Sequence, residues 1–178
     1  YLVDQLGDIG KKIHTGRSRN DQVLTAIRLF LLDQLGVLKT DAVDLAAAFL
    51  VAAQEHQTVP LPGYTHTQQA MLSSLGHYYA SFVESLLDDI AYLRSVYNQL
   101  DQNPLGSAAG FGVALPLDRE GVTADLHFGH IQVNSLYCQA SRGKFESLYL
   151  EGLAQLMLTL GRFASDMLLY TTQEFEFF

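Results

Sequence analysis

Cysteine is almost missing. Cys138 stands alone among 178 residues, which excludes an intramolecular disulfide framework and suits a reducing cytoplasm. A lone residue of this kind reads as a small buried apolar side chain before it reads as a catalytic thiol. Metal-ligand spacing is missing too: His127 and His130 are three apart, but no thiol or carboxylate pattern supports them. No long apolar run occurs. The nearest, Ala42 to Ala53, is interrupted by Asp44 and falls short of the about 20 residues that a membrane span needs. No signal-peptide pattern opens the chain; Tyr1-Leu2-Val3 reads like the middle of a helix, as in an internal piece of a longer protein. Basic residues are scarce, eleven against nineteen acidic ones for a net charge of −8, and this argues against nucleic acid as a partner.

Proline is scarce as well, and its placement is informative. Pro60 and Pro62 form one pair and Pro104 and Pro116 the other. Because proline breaks helix interiors, the stretches between them are three long helical candidates, about Asp21 to Glu55, Thr67 to Asp101 and Arg142 to Thr171. Ser18 or Asn20 can cap the first, with Asp21 in its first turn at the positive dipole end. At 1.5 Å per residue that helix is roughly 50 Å long. The second carries Leu72, Leu75, Tyr79, Phe82, Leu86, Ile90, Leu93, Tyr97 and Leu100 in steps of three and four, a coiled-coil-like seam. Tyr149, Leu153, Leu156, Leu160, Phe163 and Met167 line one stripe of the third. Short helices are expected near Glu120 to Leu126 and Ser135 to Gln139. No strand-like alternation of useful length is visible.

The expected class is therefore all-α: an elongated bundle of long antiparallel helices. Hydrophobic residues make up 48% and charged residues 17%, more apolar surface than one such chain can bury. That favours bundling between chains over a monomeric helical domain.

Against this background the cations cluster. Lys11, Lys12, Arg17 and Arg19 fall within nine positions, and such a cluster in an acidic protein either focuses a field on a small anion or is a solvated basic turn. The segment His14 to Gln22, just before a long helix, gathers two arginines, a hydroxyl and an amide at the unpaired N–H groups of the helix start, an arrangement suited to a carboxylate. The alternative is an elaborate N-cap. Pro62 to Gln69 is the second candidate: a helix start just after it would lower the pKa of His66 and keep it neutral as a base or hydrogen-bond partner, with Thr65 and Gln68 as polar contacts. A lone loop histidine is otherwise an ordinary turn residue. His56, His77, His127 and His130 read as helix or loop residues, and Asp118-Arg119-Glu120 as a local capping and ion-pair element. Gly106 to Gly112 reads as a crossover turn, since no strand precedes it as a dinucleotide loop would need.

Thr15 to Val23, TGRSRNDQV, closely resembles a signature segment of the argininosuccinate lyases. Pro62 to Gln69, PGYTHTQQ, resembles their threonine-histidine loop, and Asn103 to Gly110, NPLGSAAG, followed by Leu117 to Glu120, their crossover region. The motifs come in the family's order and spacing over essentially the whole chain, and the first differs from what fumarases, aspartases and adenylosuccinate lyases carry there.

The resemblance implies the fumarase/aspartase fold, with residues 1–20 ending an N-terminal domain and supplying a substrate-binding turn, and residues 21–178 forming an incomplete central helical bundle. It implies a homotetramer with active sites shared between subunits. The reaction it implies is reversible cleavage of argininosuccinate to arginine and fumarate, without a metal or organic cofactor. Ser18, Arg19, Asn20 and Thr65 match positions that bind the substrate, Gln68 is a weaker match, and His66 matches the histidine given acid–base or base-orienting roles. The family's catalytic serine lies in a segment resembling GSSxMPxKKNP that the 178 residues do not contain, so the piece alone is expected to be inactive. Two alternatives stand beside this: a crystallin-like structural assembly protein without turnover, and another lyase of the same superfamily.

Overall fold

The computed structural model describes all residues from 1 to 178. It is mainly helical, as expected. A short helix α1 (Leu2–Leu6) runs into a 3-10 stretch (Gly7–His14), followed by the long helix α2 (Arg19–Glu55). Strands β1 (Pro60–Thr65) and β2 (Gln68–Ser74) precede helix α3 (Leu75–Leu100). Then come β3 (Gln102–Asn103), α4 (Arg119–Asp125), β4 (His130–Ile131), α5 (Ser135–Ala140) and the long α6 (Lys144–Tyr170). No helix is long and apolar enough to cross a membrane.

The first and third long helices lie where the proline pattern puts them. The second does not, and the expectation of no strands fails with it. Residues 68–74 pair with 60–65 in an antiparallel hairpin, and β3 pairs with β4 in a two-residue parallel bridge. Prolines 60 and 62 hold β1 extended, and the residue before each is biased the same way. The register slips between Pro62 and Tyr64. There Gly63 brings the two backbones so close that a Cβ would lie 2.6 Å from the Met71 carbonyl oxygen. Nothing in Gln68–Ser74 forbids a helix; strand pairing overrides local propensity. Helix α3 begins only where Ser74 Oγ accepts the His77 N–H at 3.1 Å, an N-cap contact.

The chain divides into two compact units. One comprises residues 35–96 and 149–178. In it α3 runs antiparallel to α6: Gly152 packs on Leu93 and Val96, Ser85 bonds Thr159, and Tyr78 bonds Asp166. Phe49 of α2 stacks against Phe82 and meets Phe163 edge-on at 4.8 Å, and with Ala42, Ala46, Leu86 and Leu156 these residues make the core. Buried inside it, Thr159 donates to Asp89 Oδ2 at 2.6 Å and shares a 3.0 Å bond with Ser85. The hairpin is tied to the end of α2 by Leu75 N–H to the Val59 carbonyl and Gly76 N–H to the His56 carbonyl.

The other unit comprises residues 1–34 and 97–148. Its core is far more polar. Asp21, Thr25 and Arg28 are buried beside Leu24, Leu31 and Leu32 on one stripe of α2, and Asn103, Ser107, Thr123, Gln132 and Ser141 are buried around them.

Candidate functional site

The turn before α2 is built by two reciprocal contacts. Ser18 Oγ accepts the Asn20 N–H at 3.2 Å, and Asp21 Oδ1 accepts the Ser18 N–H at 2.9 Å. Ser18 therefore takes the N-cap role of the two expected caps, bonding the N2 amide, while Asp21 at N3 returns the bond that a capping-box glutamate would make. Gly16 enters the turn at φ +69°, with the Leu117 side chain where a Cβ would stand. With its oxygen engaged as an acceptor, Ser18 keeps its hydroxyl hydrogen free to donate.

Arg19 and Asn20 are the first two residues of α2, both exposed, and their side chains have no partner in the chain. Beside them the Arg142 guanidinium makes a weak contact to the Asn20 carbonyl at 3.5 Å. Two side chains rich in donors thus stand free beside the first N–H groups of a long helix, where an anion gains from both. Arg17, half-buried, lines a cavity of about 120 Å³ with Thr15, Leu105, Gly106, Leu117, Asp118, Arg119 and Val122. Lys11 is paired with Asp8 at 2.7 Å on the surface, so the basic cluster is partly neutralised within itself.

Asp118-Arg119-Glu120 is a structural element. Asp118 caps α4 by accepting the Gly121 N–H at 2.8 Å. The Arg119 guanidinium donates to the carbonyls of Leu105 at 2.8 Å, Gln132 at 3.0 Å and Asn103 at 3.4 Å. The residue that sequence reasoning undervalued is Asp21. Its dipole-favoured position was legible, but it is fully buried, and its second oxygen accepts the N–H groups of Gly106 at 3.0 Å and Ala108 at 2.9 Å. The available signal was the Ser18-x-x-Asp21 spacing itself.

The second candidate group sits at a hairpin tip. Thr65 pairs with Gln68 across the strands, leaving His66 and Thr67 as a two-residue loop. Their φ values are +50° and +61°, the positive pair that a type I′ turn requires and that glycine or asparagine normally supplies. The expected helix start beside His66 is absent, because β2 intervenes before α3 at Leu75. No helix dipole therefore acts on the His66 ring from a helix start beside it. Thr65, His66 and Gln68 are all exposed with unpartnered side chains. Below the tip Tyr64 is held edge-on by Phe175 at 5.5 Å, and the neighbouring Phe177 and Phe178 pack on the Tyr170 ring of the same unit.

Ser18, Arg19 and Asn20 are thus gathered in one turn of one unit, and Thr65, His66 and Gln68 at one tip of the other. Each group presents free polar side chains on a fixed backbone. No group of three or more His, Cys, Asp or Glu side chains is placed to hold a metal ion, and Cys138 is buried and free, its thiol pushed up chiefly by burial.

A chain with these features has clear relatives. It is 48% identical over 176 residues to the argininosuccinate lyase of Stenotrophomonas maltophilia and 49% identical over the same length to that of Xylella fastidiosa. These matches cover 99% of this chain but only 41% and 40% of the relatives, so it spans about two fifths of their length. A solved structure of EDDS lyase in complex with formate superposes with a TM-score of 0.93 at 30% identity, over 98% of this chain and 35% of that one. The lyase family profile matches residues 2–178, and the chain belongs to the lyase family.

Proposed function

We propose that this chain supplies the succinate-binding turn and the histidine hairpin of an argininosuccinate lyase, which cleaves argininosuccinate reversibly to arginine and fumarate. The observation that carries the reading is the free pair Arg19 and Asn20 on a turn locked by Ser18 and Asp21, within a chain 47–49% identical to argininosuccinate lyases along its whole length. Arg19 grips a substrate carboxylate through two parallel hydrogen bonds, and Ser18 and Asn20 complete the cradle. Thr65 and, more weakly, Gln68 make further contacts from the hairpin.

In the reaction, a base removes the proton from the carbon beside a carboxylate. The electron pair is held on that carboxylate as an aci-carboxylate, then closes the carbon–carbon double bond of fumarate as the carbon–nitrogen bond breaks. Nitrogen keeps its bonding pair and takes a proton. Donors already fixed on the doubly charged carboxylate are the main source of rate. His66 takes the acid–base or base-orienting role, and no metal or organic cofactor enters. The segment that carries the family's catalytic serine does not occur in these 178 residues, so the polypeptide alone binds without turning over.

Residues 1–20 close an N-terminal domain and 21–178 belong to the central bundle. Assembly as a homotetramer with shared active sites accounts for apolar side chains left in the open, Leu150, Met157, Leu158 and Leu168 on α6 and Phe30 and Val37 on α2. A cytoplasmic location fits the single free cysteine. The test is a chimera in which this chain replaces the matching 176 residues of the Stenotrophomonas maltophilia enzyme, assayed by the ultraviolet absorbance of fumarate. Turnover is expected in the chimera and not in the 178 residues alone, and His66→Asn should lower it by about 100-fold or more. An assembled chimera without turnover would favour a crystallin-like structural protein.

A further inference from the structure

The polar core of residues 1–34 and 97–148 contains a carboxylate that the reaction does not use. Asp21 is 0% exposed, and its two oxygens accept three backbone N–H groups from two distant segments: Ser18 at 2.9 Å, Gly106 at 3.0 Å and Ala108 at 2.9 Å. Buried carboxylates without a cation are expensive; this one is compensated by backbone dipoles alone, since no Lys or Arg pairs with it. We propose that Asp21 is a positioning residue that clamps the Ser18–Asn20 turn to the glycine-rich crossover at Gly106–Ala108, so that the crossover sets the direction in which Arg19 and Asn20 face an anion. The proposal rests on the reading of that turn as a succinate-binding element.

The crossover is itself braced for this role. Gly106 stands at φ +89° and Ala108 at φ +51°, and the N–H groups of these two alternate residues converge on one carboxylate oxygen, while the Ser107 N–H between them turns back to the Pro104 carbonyl; the result is akin to the backbone concavities that bind anions. Here the anion is the protein's own side chain. Gln139 Nε2 donates to the Ala108 carbonyl at 3.1 Å, and Arg119 Nε to the Leu105 carbonyl at 2.8 Å. The loop is therefore held from behind while Asp21 holds it from the front. Asp21 lies directly after Asn20, so any shift of the carboxylate by even part of a hydrogen-bond length is passed to the neighbouring donors.

The experiment uses the 178-residue chain and succinate as probe, with two readouts. Backbone amide exchange is followed by NMR at Ser18, Gly106 and Ala108, and succinate affinity by titration of the Arg19 and Asn20 resonances. Asp21→Asn should speed exchange at Gly106 and Ala108 and weaken succinate binding by about tenfold, the effect of turning a charge-assisted hydrogen bond into a neutral one. Leu31→Ala, which thins the same core without touching the turn, should lower stability but leave affinity within about twofold; that separates positioning from bulk stability. If Asp21→Asn does not fold, the wild-type chain decides: saturating succinate should slow exchange at Gly106 and Ala108 relative to Thr123. Unchanged affinity and exchange in a folded Asp21→Asn chain would overturn the proposal, as would indifference of the crossover amides to succinate. A wild-type chain that binds no succinate would instead sink the functional reading, while the exchange arm still decides whether Asp21 clamps the loop.

Discussion

Replacing Thr67 by asparagine should stabilise the chain although it removes a hydrogen bond. Thr67 sits at φ +61°, where a β-branched residue is a genuine outlier. The left-handed conformation costs roughly 1–2 kcal/mol for an ordinary residue, and asparagine escapes much of that cost. Against this gain stands the bond from Thr67 Oγ1 to the His66 carbonyl at 2.6 Å. It is exposed, and its net contribution is about 0.5 kcal/mol, at the low end for such bonds. The balance is a gain of about 0.5–1.5 kcal/mol, which for a chain of this size raises Tm by about 1–6 °C. Thr67→Val keeps the branching and the strain but loses the hydroxyl, and should fall slightly below the parent. Thr67→Gly should come out near neutral, since glycine's freedom in the unfolded chain offsets the relief. Thermal unfolding followed by circular dichroism ranks the four chains as Asn, then Gly and parent, then Val. An asparagine variant no more stable than the parent would refute the claim that the hairpin tip is strained.

Two further outcomes follow from the unit formed by residues 35–96 and 149–178. Thr159→Val removes the 2.6 Å donor to buried Asp89 and the link to Ser85, and should cost about 1.5–3 kcal/mol in a urea titration; a loss below about 0.5 kcal/mol would show the network to be idle. Burial, with Asp166 beside it, holds the Tyr78 phenol above its ordinary 10.0 in the folded chain. Its contribution is therefore complete below pH 10 and is lost as pH rises beyond it, because the unfolded chain ionises first. Tyr78→Phe should be less stable at neutral pH, where the 3.2 Å bond to Asp166 is gone, yet lose less stability than the parent under alkali. Tyr79 and Tyr170, also raised by burial, should leave a residual slope.

What the sequence revealed was what neighbours decide. Proline placement and the three-four spacing located α2 and α6 closely, and Ser18 was among the expected caps. The hairpin escaped because its evidence is non-local. The segment 68–74 has no breaker, Leu72 falls in step with the α3 stripe although it is 76% exposed on β2, and His66-Thr67 is not the Asn-Gly pair that announces a type I′ turn. Ser74, able to cap a helix at Leu75, was the sign available. The candidate residues were found by motif, but the partition into a turn and a hairpin tip in separate units could not be read from their order.

The polar stripe of α2 shows the deeper reason. By charge, a helix face carrying Asp21, Thr25 and Arg28 belongs in water, yet all three are buried. The elements packed around them are short, and irregular segments leave backbone groups that helices would have satisfied internally. Asp21 answers the N–H groups of a loop 85 and 87 positions away. Arg28 answers a carbonyl: Nη1 reaches Gln102 at 2.6 Å, while the guanidinium lies 4.1 Å over the Phe145 ring. Burial lowers its pKa to about 10, which still leaves it charged at neutral pH. A buried cation facing a carbonyl and an aromatic ring makes sense only once β3 and α6 are in place. Hydrophobic periodicity therefore finds cores made by helices packing on helices, and overlooks a core whose task is to satisfy the backbone of the loops that carry the site.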